Sequence, residues 1–233
     1  MQKLLLLLFL FSNILWSQEE DKILFSEALS LNIKKYNTQA DEAFEENRVE
    51  YAKSLFDSLV TNHLEGSYLD NLNFDSFKTD LESTSQFTKP TILLTYTSWC
   101  IPSAGEIPAL NKLAREYGEL MNFVVLFWDN KYVVREKSKL FDKSIKVVYV
   151  DETQNRHMQT VKLLKHSLGL SLSFVISADQ EILDINRRLP NSLSLSEEES
   201  FAYNISFISE QVAAIYLDLN LNINDLPESL VTF

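Results

Sequence analysis

The sequence predicts an α/β protein with a central mixed sheet flanked by helices and preceded by a small helical hairpin module. Three observations support this fold class. Short apolar runs without helical spacing, typical of buried strands, recur between residues 91 and 186. Segments with apolar residues three and four positions apart, typical of amphipathic helices, alternate with those runs. A helical pattern also fills residues 21–65, ahead of the first strand.

The chain begins with a pattern that resembles a secretory signal peptide. Lys3 supplies a short charged start, residues 4–15 are mostly apolar, and Ser17 precedes an acidic stretch at residues 18–21. The apolar run is too short for a comfortable membrane span and has the length of a signal-peptide core. We therefore expect residues 1–17 to be cleaved and the protein to be exported to the periplasm, the cell envelope or the outside. We expect no stable membrane span after cleavage; an uncleaved anchor is the alternative.

Composition limits the partners of this chain. Its 233 residues include 33 acidic and 21 basic ones, for a net charge of −12. Nucleic acid and anionic lipid headgroups repel such a chain, so we expect neither as a partner. The single cysteine excludes an intramolecular disulfide and, in an exported chain, indicates a reactive thiol or pairing with another molecule. The three histidines are scattered without metal-ligand spacing, and we expect no metal and no cofactor.

Residues 18–66 are predicted to form the helical hairpin. Apolar residues recur at helical spacing on either side of a polar turn at residues 46–48. Part of this stretch is weakly similar to one tetratricopeptide helix pair, through Ala43, Tyr51, Ala52 and Phe56. A single repeat has no stacked neighbours with which to bury its apolar face, so we expect the hairpin to pack on the next domain. A peptide-binding role is the alternative.

The second domain is predicted over residues 67–219, and a tail at residues 220–233 has no pattern that we can interpret. The strands of this domain are predicted at residues 91–96, 122–128, 145–150, 172–177 and 181–186. Its helices are predicted at residues 74–81, 106–117, 133–141, 153–166 and 197–219. The last two strands, joined by a short turn, predict a hairpin ahead of the final helix.

Cys100 lies where the first strand of this domain is followed by a helix. The apolar run at residues 91–96 is the strand, and Pro102 at a first helical position is a helix-start signal. At such a corner, unpaired backbone N–H groups and the positive end of the helix dipole favour a thiolate. These features make a cysteine sulfur nucleophilic. The corner therefore predicts sulfur chemistry at Cys100, and an inert packed cysteine is the alternative.

The residues around this corner resemble the thioredoxin-like disulfide reductases of the TlpA/ResA type. The family pattern Trp-Cys-x-Pro-Cys-x-x-Glu-x-Pro is matched at Trp99, Cys100, Pro102, Glu106 and Pro108. The resemblance extends more loosely over residues 74–217 and implies a thioredoxin-like sheet. It also implies thiol-disulfide exchange with protein or small-molecule thiols and disulfides. Cys100 would be the attacking sulfur, and Glu106 the acid below the active site.

Two positions depart from the family pattern. Ser103 replaces the second cysteine, so a mixed disulfide on Cys100 would wait for an outside thiol, and the protein would act as a monothiol enzyme. Ser171 stands where the family has a cis-proline. A cis bond before serine costs roughly 2.5–4 kcal/mol, against about 0.5–1 kcal/mol before proline, so we expect a trans bond and an altered substrate groove. Trp99 and Pro102 would form the rest of that groove.

Two other functions are compatible with the sequence. The first is a non-catalytic thioredoxin-fold module that binds a protein of the cell envelope through the hairpin and the groove. The second is a one-cysteine peroxidase, because Thr97 lies three residues before Cys100, as in peroxiredoxins. Leu93 stands where peroxiredoxins have a proline, which ranks the peroxidase last.

Overall fold

The computed structural model describes residues 22–99, 103–187 and 195–220. Four predicted features lie outside these ranges: the signal peptide, Cys100, Pro102 and all of the tail beyond residue 220. The strands of the described ranges are β1 (Thr91–Tyr96), β2 (Asn122–Phe127), β3 (Ile145–Tyr149), β4 (Leu172–Ile176) and β5 (Ile182–Arg187).

The first two helices, α1 (Phe25–Glu45) and α2 (Val49–Leu59), form the predicted hairpin. α2 continues into one wider turn of π type, Val60–Leu64. The later helices are α3 (Glu106–Tyr117), α4 (Lys131–Lys137), α5 (Met158–Val161) and α6 (Glu197–Asp218). A second π-type turn, Lys162–His166, extends α5.

The five strands form one mixed sheet in the order β3–β2–β1–β4–β5. Strands β1, β2 and β3 are parallel, with Thr91 opposite Asn122 and Phe123 opposite Ile145. β4 runs antiparallel to β1, and β5 runs antiparallel to β4. The carboxyl ends of the three parallel strands therefore lie at one edge of the sheet, together with the start of β4. We call this edge the carboxyl edge.

Helices cover both faces of the sheet, because alternate residues of each strand point to opposite sides. On one face, the hairpin and the π-type turn after α5 share an apolar core with the sheet. Members of this core include Phe25, Phe56, Leu163, Leu93 and Phe174. On the other face, α3 and α6 pack side by side on the strands. Members of that core include Leu113, Val212, Ile92 and Val125.

This arrangement is a thioredoxin-like α/β fold with an added helical region at its N-terminal side. A parallel strand-helix-strand unit, β1–α3–β2, is followed by the antiparallel pair β4–β5 and by α6, which packs beside α3. The predicted fold class is therefore confirmed. Across residues 22–99, 103–187 and 195–220, none of the helices combines the length and apolarity that a membrane span requires.

The helix predicted at residues 74–81 is wrong. The backbone of Asp75 instead pairs with Tyr149 of edge strand β3 in both directions, at N···O distances of 2.8 and 2.9 Å. Phe74 N donates to Glu82 O at 3.0 Å, which keeps the segment extended or bent. Pairing with a distant strand supplies the hydrogen bonds that a helix would have made. The local spacing of apolar residues does not indicate this pairing. The helix predicted at residues 153–166 is also shorter, since it begins only at Met158.

Candidate functional site

The candidate site is the corner between β1 and α3, where Cys100 and Pro102 lie outside the described residues. The corner is bounded by Trp99 on one side and by Ser103 on the other. All six residues of β1 are buried, and so is Thr97 after it. Trp99, by contrast, is 72% exposed. The chain thus leaves the core within two residues, just ahead of Cys100.

Asp129 holds the strand side of the corner. Its carboxylate accepts a hydrogen bond from Ser98 N at 2.7 Å and a second one from the hydroxyl of Ser98. Asp129 follows β2 after one intervening residue, Trp128, and the next residue, Asn130, caps α4 by accepting from Tyr132 N at 3.1 Å. Sequence reasoning missed Asp129, although an acid just after a buried strand at the carboxyl edge was the signal that could have found it.

Helix α6 holds the helix side of the corner. Ser103 is 7% exposed, and its hydroxyl oxygen accepts a hydrogen bond from Asn204 Nδ2 at 2.9 Å. Asn204 also donates to Ser200 O at 2.7 Å, and Gly105 N donates to Ser200 Oγ at 3.1 Å. The backbones approach so closely here that a Cβ atom at Gly105 would lie 2.1 Å from Phe201 N. Glycine is therefore required at this position.

Glu106 joins the two sides of the corner. It is the first residue of α3 and is half-buried. Its carboxylate accepts a hydrogen bond from the Tyr96 hydroxyl at 2.5 Å and a longer one from Ser103 N at 3.3 Å. Because these donors come from the end of β1 and the start of the helix, Glu106 is tied into the corner rather than free in solvent. Its role as a proton-exchanging acid stays a prediction.

Ser171 lies in the loop before β4, at the same carboxyl edge. The expected trans bond is wrong, because the peptide bond between Leu170 and Ser171 is cis. The expectation rested on the intrinsic preference of one bond, whereas this loop is fixed by contacts on both sides. Leu172 N donates to Thr95 Oγ1 of β1 at 2.9 Å, and Arg187 Nη2 donates to Leu168 O at 2.7 Å. Ser171 itself is 8% exposed.

The structure thus brings two of the predicted site residues into direct contact and places two others at the same edge of the sheet. Glu106 and Ser103 are hydrogen-bonded to each other, and Trp99 lies next to Ser98, which Asp129 holds. The Ser171 loop is fastened to β1 through Thr95. Within the described part of the chain, no group of three or more histidine, cysteine, aspartate or glutamate side chains could hold a metal ion. The described residues on either side of Cys100 are held by hydrogen bonds, and Glu106 supplies a carboxylate to this corner.

No protein-family model and no curated protein sequence matches this chain. Among solved structures, it is similar to a thio-disulfide isomerase from Thermus thermophilus, with 17% identity over 63% of this chain and 94% of that chain, and a TM-score of 0.45. It is also similar to a secreted disulfide oxidoreductase from Mycobacterium tuberculosis, with 16% identity over 57% and 87% of the two chains and a TM-score of 0.40.

A third similar structure is reduced Prx3 from Vibrio vulnificus in complex with hydrogen peroxide, with 13% identity over 66% of this chain and 97% of that chain, and a TM-score of 0.45. At these identities and TM-scores, no activity and no partner carries over to this chain. Its fold class rests on its own sheet topology.

Proposed function

We propose that this chain is an exported thioredoxin-like protein of the thiol-disulfide oxidoreductase class that acts as a monothiol through Cys100. One observation carries the proposal: the only cysteine falls in the segment between β1 and α3, at the carboxyl edge of a thioredoxin-like sheet. Asp129 and Asn204 hold the residues on either side of that segment. A corner fixed from both sides beside the exposed Trp99 favours a thiol that meets other molecules.

The proposed reaction is disulfide exchange in two steps. The Cys100 thiolate attacks one sulfur of a substrate disulfide, an S–S bond forms between them, and the other substrate sulfur leaves as a thiolate. An outside protein or small-molecule thiol then loses its proton to solvent and attacks the substrate sulfur held on Cys100. That attack forms a disulfide between the substrate and the outside thiol and releases the Cys100 thiolate. Each step exchanges one thiolate for another, so no further oxidant or reductant enters.

Ser103 and Glu106 have different proposed roles in this reaction. The Ser103 hydroxyl cannot form a disulfide, so the mixed disulfide on Cys100 lasts until an outside thiol arrives. Glu106 is proposed to exchange a proton with the site, because a half-buried carboxylate at the start of the helix that follows Cys100 in the chain can take that part. Trp99, Pro102 and Ser171 are proposed to line the substrate groove.

The test is a trapping experiment on the natural chain, which already lacks the cysteine that would release a bound partner. The full chain is produced with its own signal segment in a bacterial envelope, and mixed disulfides are separated on nonreducing gels. We expect partners linked to Cys100 that disappear when a thiol is added, and none with Cys100→Ser. Ser103→Cys should permit an internal disulfide, lower the yield of trapped partners and raise insulin reduction.

The outcome that would contradict the proposal has three parts. Cys100 would alkylate with the pH dependence of an ordinary thiol, it would trap nothing, and Ser103→Cys combined with Ser171→Pro would give no insulin reduction. The interpretation of this chain as a non-catalytic binding module would then replace its interpretation as an enzyme.

We propose further that residues 1–17 direct export and are removed. The support is the sequence pattern of a charged start, a short apolar run and a small residue before an acidic stretch. Mass spectrometry of the mature product should find an amino terminus near Gln18. Recovery of the full-length chain only in a membrane fraction would contradict cleavage.

A further inference from the structure

Arg187 is the last residue of β5, and its side chain contacts two separate parts of the molecule. Across the antiparallel ladder it pairs with Leu172, the first residue of β4. Its Nη2 atom donates a hydrogen bond to Leu168 O at 2.7 Å. Its guanidinium carbon lies 4.0 Å from the centre of the Phe56 ring on α2. One side chain therefore touches both the helical hairpin and the chain just ahead of Ser171.

The chain ahead of β4, residues 168–171, is held at both ends, and we call it the Ser171 loop. Arg187 holds its start through the carbonyl of residue 168. Leu172 N holds its end by donating to Thr95 Oγ1 of β1 at 2.9 Å. Because a site residue keeps its position only when the residues around it are themselves fixed, the position of Ser171 depends on Arg187 as well as on β1.

The partners of Arg187 are unusual for an arginine in an acidic chain. Among residues 22–99, 103–187 and 195–220, it forms no ion pair with a carboxylate. Asp184 and Asp57 lie on the two elements that it joins, yet neither is its partner. The guanidinium instead meets a carbonyl oxygen and an aromatic ring, and both contacts depend on direction as well as distance. These partners favour a positioning role over charge neutralisation.

We propose that Arg187 is a positioning residue that ties the Ser171 loop to the helical hairpin, so that the hairpin sets the position of Ser171 in the substrate groove. This inference rests on the proposed function, in which Ser171 lines that groove, and it gives the hairpin a part in the reaction. The hairpin is an addition to the thioredoxin-like sheet, and Phe56 is its contact with Arg187. Loss of this tie should slow reactions that need the groove and spare a reaction that does not.

The test compares two reactions of Cys100 in the full chain. In the first, the Cys100 thiolate attacks the cysteine sulfur of a short peptide that carries thionitrobenzoate as a mixed disulfide, and the absorbance of the released thionitrobenzoate gives the rate. In the second, iodoacetamide reports the thiolate without use of the groove. We expect Arg187→Met to lower the peptide rate constant by about tenfold, because a small displacement of a positioned group is costly in rate. The iodoacetamide rate constant should stay unchanged.

Further variants separate the two contacts of Arg187. Arg187→Lys keeps a charged donor for Leu168 O and should retain more of the peptide rate than Arg187→Met. Phe56→Leu removes the ring, keeps an apolar side chain, and should lower the peptide rate by about threefold. Combined with Arg187→Met, it should add nothing, because the tie is already broken. Arg48→Met is the matched control and should change neither rate, since Arg48 lies over the Tyr51 ring at 4.6 Å at the start of α2.

Three results would overturn the inference and leave the proposed function standing. They are an unchanged peptide rate in Arg187→Met, equal losses in both reactions, and a Phe56→Leu loss that adds in full to the loss in Arg187→Met. Urea denaturation shows which variants fold, and if Arg187→Met does not, Arg187→Lys and Phe56→Leu must each slow the peptide reaction alone. A natural chain in which iodoacetamide modifies Cys100 but no peptide reacts would overturn the proposed function, and this inference with it.

Discussion

The start of α3 and the end of α2 are both packed against a neighbouring element, but the two contacts are built differently. We call the first the α6 seam, formed by Ser103 and Gly105 of the corner with Ser200 and Asn204 of α6. Its groups are neutral, they are buried, and their hydrogen bonds are 2.7 to 3.5 Å long. The two backbones also lie in close contact at Gly105.

The second contact, the hairpin seam, lies where the hairpin meets edge strand β5. Three carboxylates influence one another there: the charge of Asp57 acts on Asp184, and the charge of Asp184 acts on Glu65. Burial raises the pKa of Asp184, hydrogen bonds from Asn186 and from the backbone of Ile185 lower it, and the charge of Asp57 raises it by the smallest amount. Burial also raises the pKa of Glu65, with the charge of Asp184 as the second cause. Like charges thus oppose a contact that the shared apolar core stabilises.

Because the two seams are built differently, we expect different changes to destabilise them. The α6 seam fixes the candidate site by shape and by neutral hydrogen bonds, so we expect it to respond to volume and to lost partners but little to pH. The hairpin seam lies away from the corner, and we expect it to respond to pH, because its carboxylates bind protons more tightly in the folded state.

Gly105→Ala should break the α6 seam and have the largest effect. The added Cβ would lie 2.1 Å from Phe201 N, and because that atom belongs to the backbone, no side-chain rotation relieves the overlap. We expect a loss of about 3 kcal/mol in the free energy of unfolding, measured by urea denaturation. Ala104→Ser, at the exposed neighbouring position, is the control. A Gly105→Ala protein as stable as the natural one would show that the helices are not in this contact.

The sequence was sufficient to predict the strands, and to predict the apolar face that each of the observed helices buries. Apolar runs located β1 to β4 to within one residue, because buried strands need continuous apolar side chains, and the short turn before residues 181–186 located β5. The polar half of the α6 seam was not predictable in the same way. Ser200 and Asn204 are buried by pairing with Gly105 and Ser103, about a hundred residues earlier, and in the sequence they look like a solvated helix face.

The same limit applies to the other parts of the site that the sequence did not predict. Asp129 and Ser98 are 31 residues apart, so neither residue alone indicates the pair. The pairing of Asp75 with Tyr149 replaced a locally plausible helix. The bond before Ser171 is cis, in a loop that hydrogen bonds fasten to β1 and β5. Local patterns predict elements, and hydrogen bonds between distant polar residues complete the site.

Asn204→Ala should weaken the α6 seam by less than Gly105→Ala. It removes the donor to Ser103 Oγ and to Ser200 O, and we expect a loss of about 2 kcal/mol. A cycle with Ser103→Ala, measured by urea denaturation, should give a coupling of about 1 kcal/mol, since the two residues share one hydrogen bond. Glu210→Ala, an exposed change on the same helix, is the control. Strictly additive losses would mean that Asn204 does not hold Ser103.

Asp184→Asn should stabilise the hairpin seam, whereas the two substitutions in the α6 seam destabilise the protein. Its effect on the free energy of unfolding should be the smallest of the three. A carboxyl group whose pKa is raised in the folded state binds its proton more tightly there, so ionising it near neutral pH costs stability. Asparagine removes that charge and keeps an oxygen that can accept from Asn186. After allowance for solvent screening, we expect a gain of about 0.5 kcal/mol at neutral pH.

The pH dependence of the stability gain tests whether Asp184→Asn acts by removing a charge. The gain should shrink as pH falls through the raised pKa and vanish below the ordinary value of 3.8, where the natural carboxyl is protonated in both the folded and the unfolded state. Melting temperatures measured across this pH range would report the gain, and Asp179→Asn, at an exposed position, is the matched control. A gain that persists in acid would have to come from packing, and a loss at neutral pH would mean that the Asp184 charge stabilises the fold. Either result would remove the electrostatic distinction between the hairpin seam and the α6 seam.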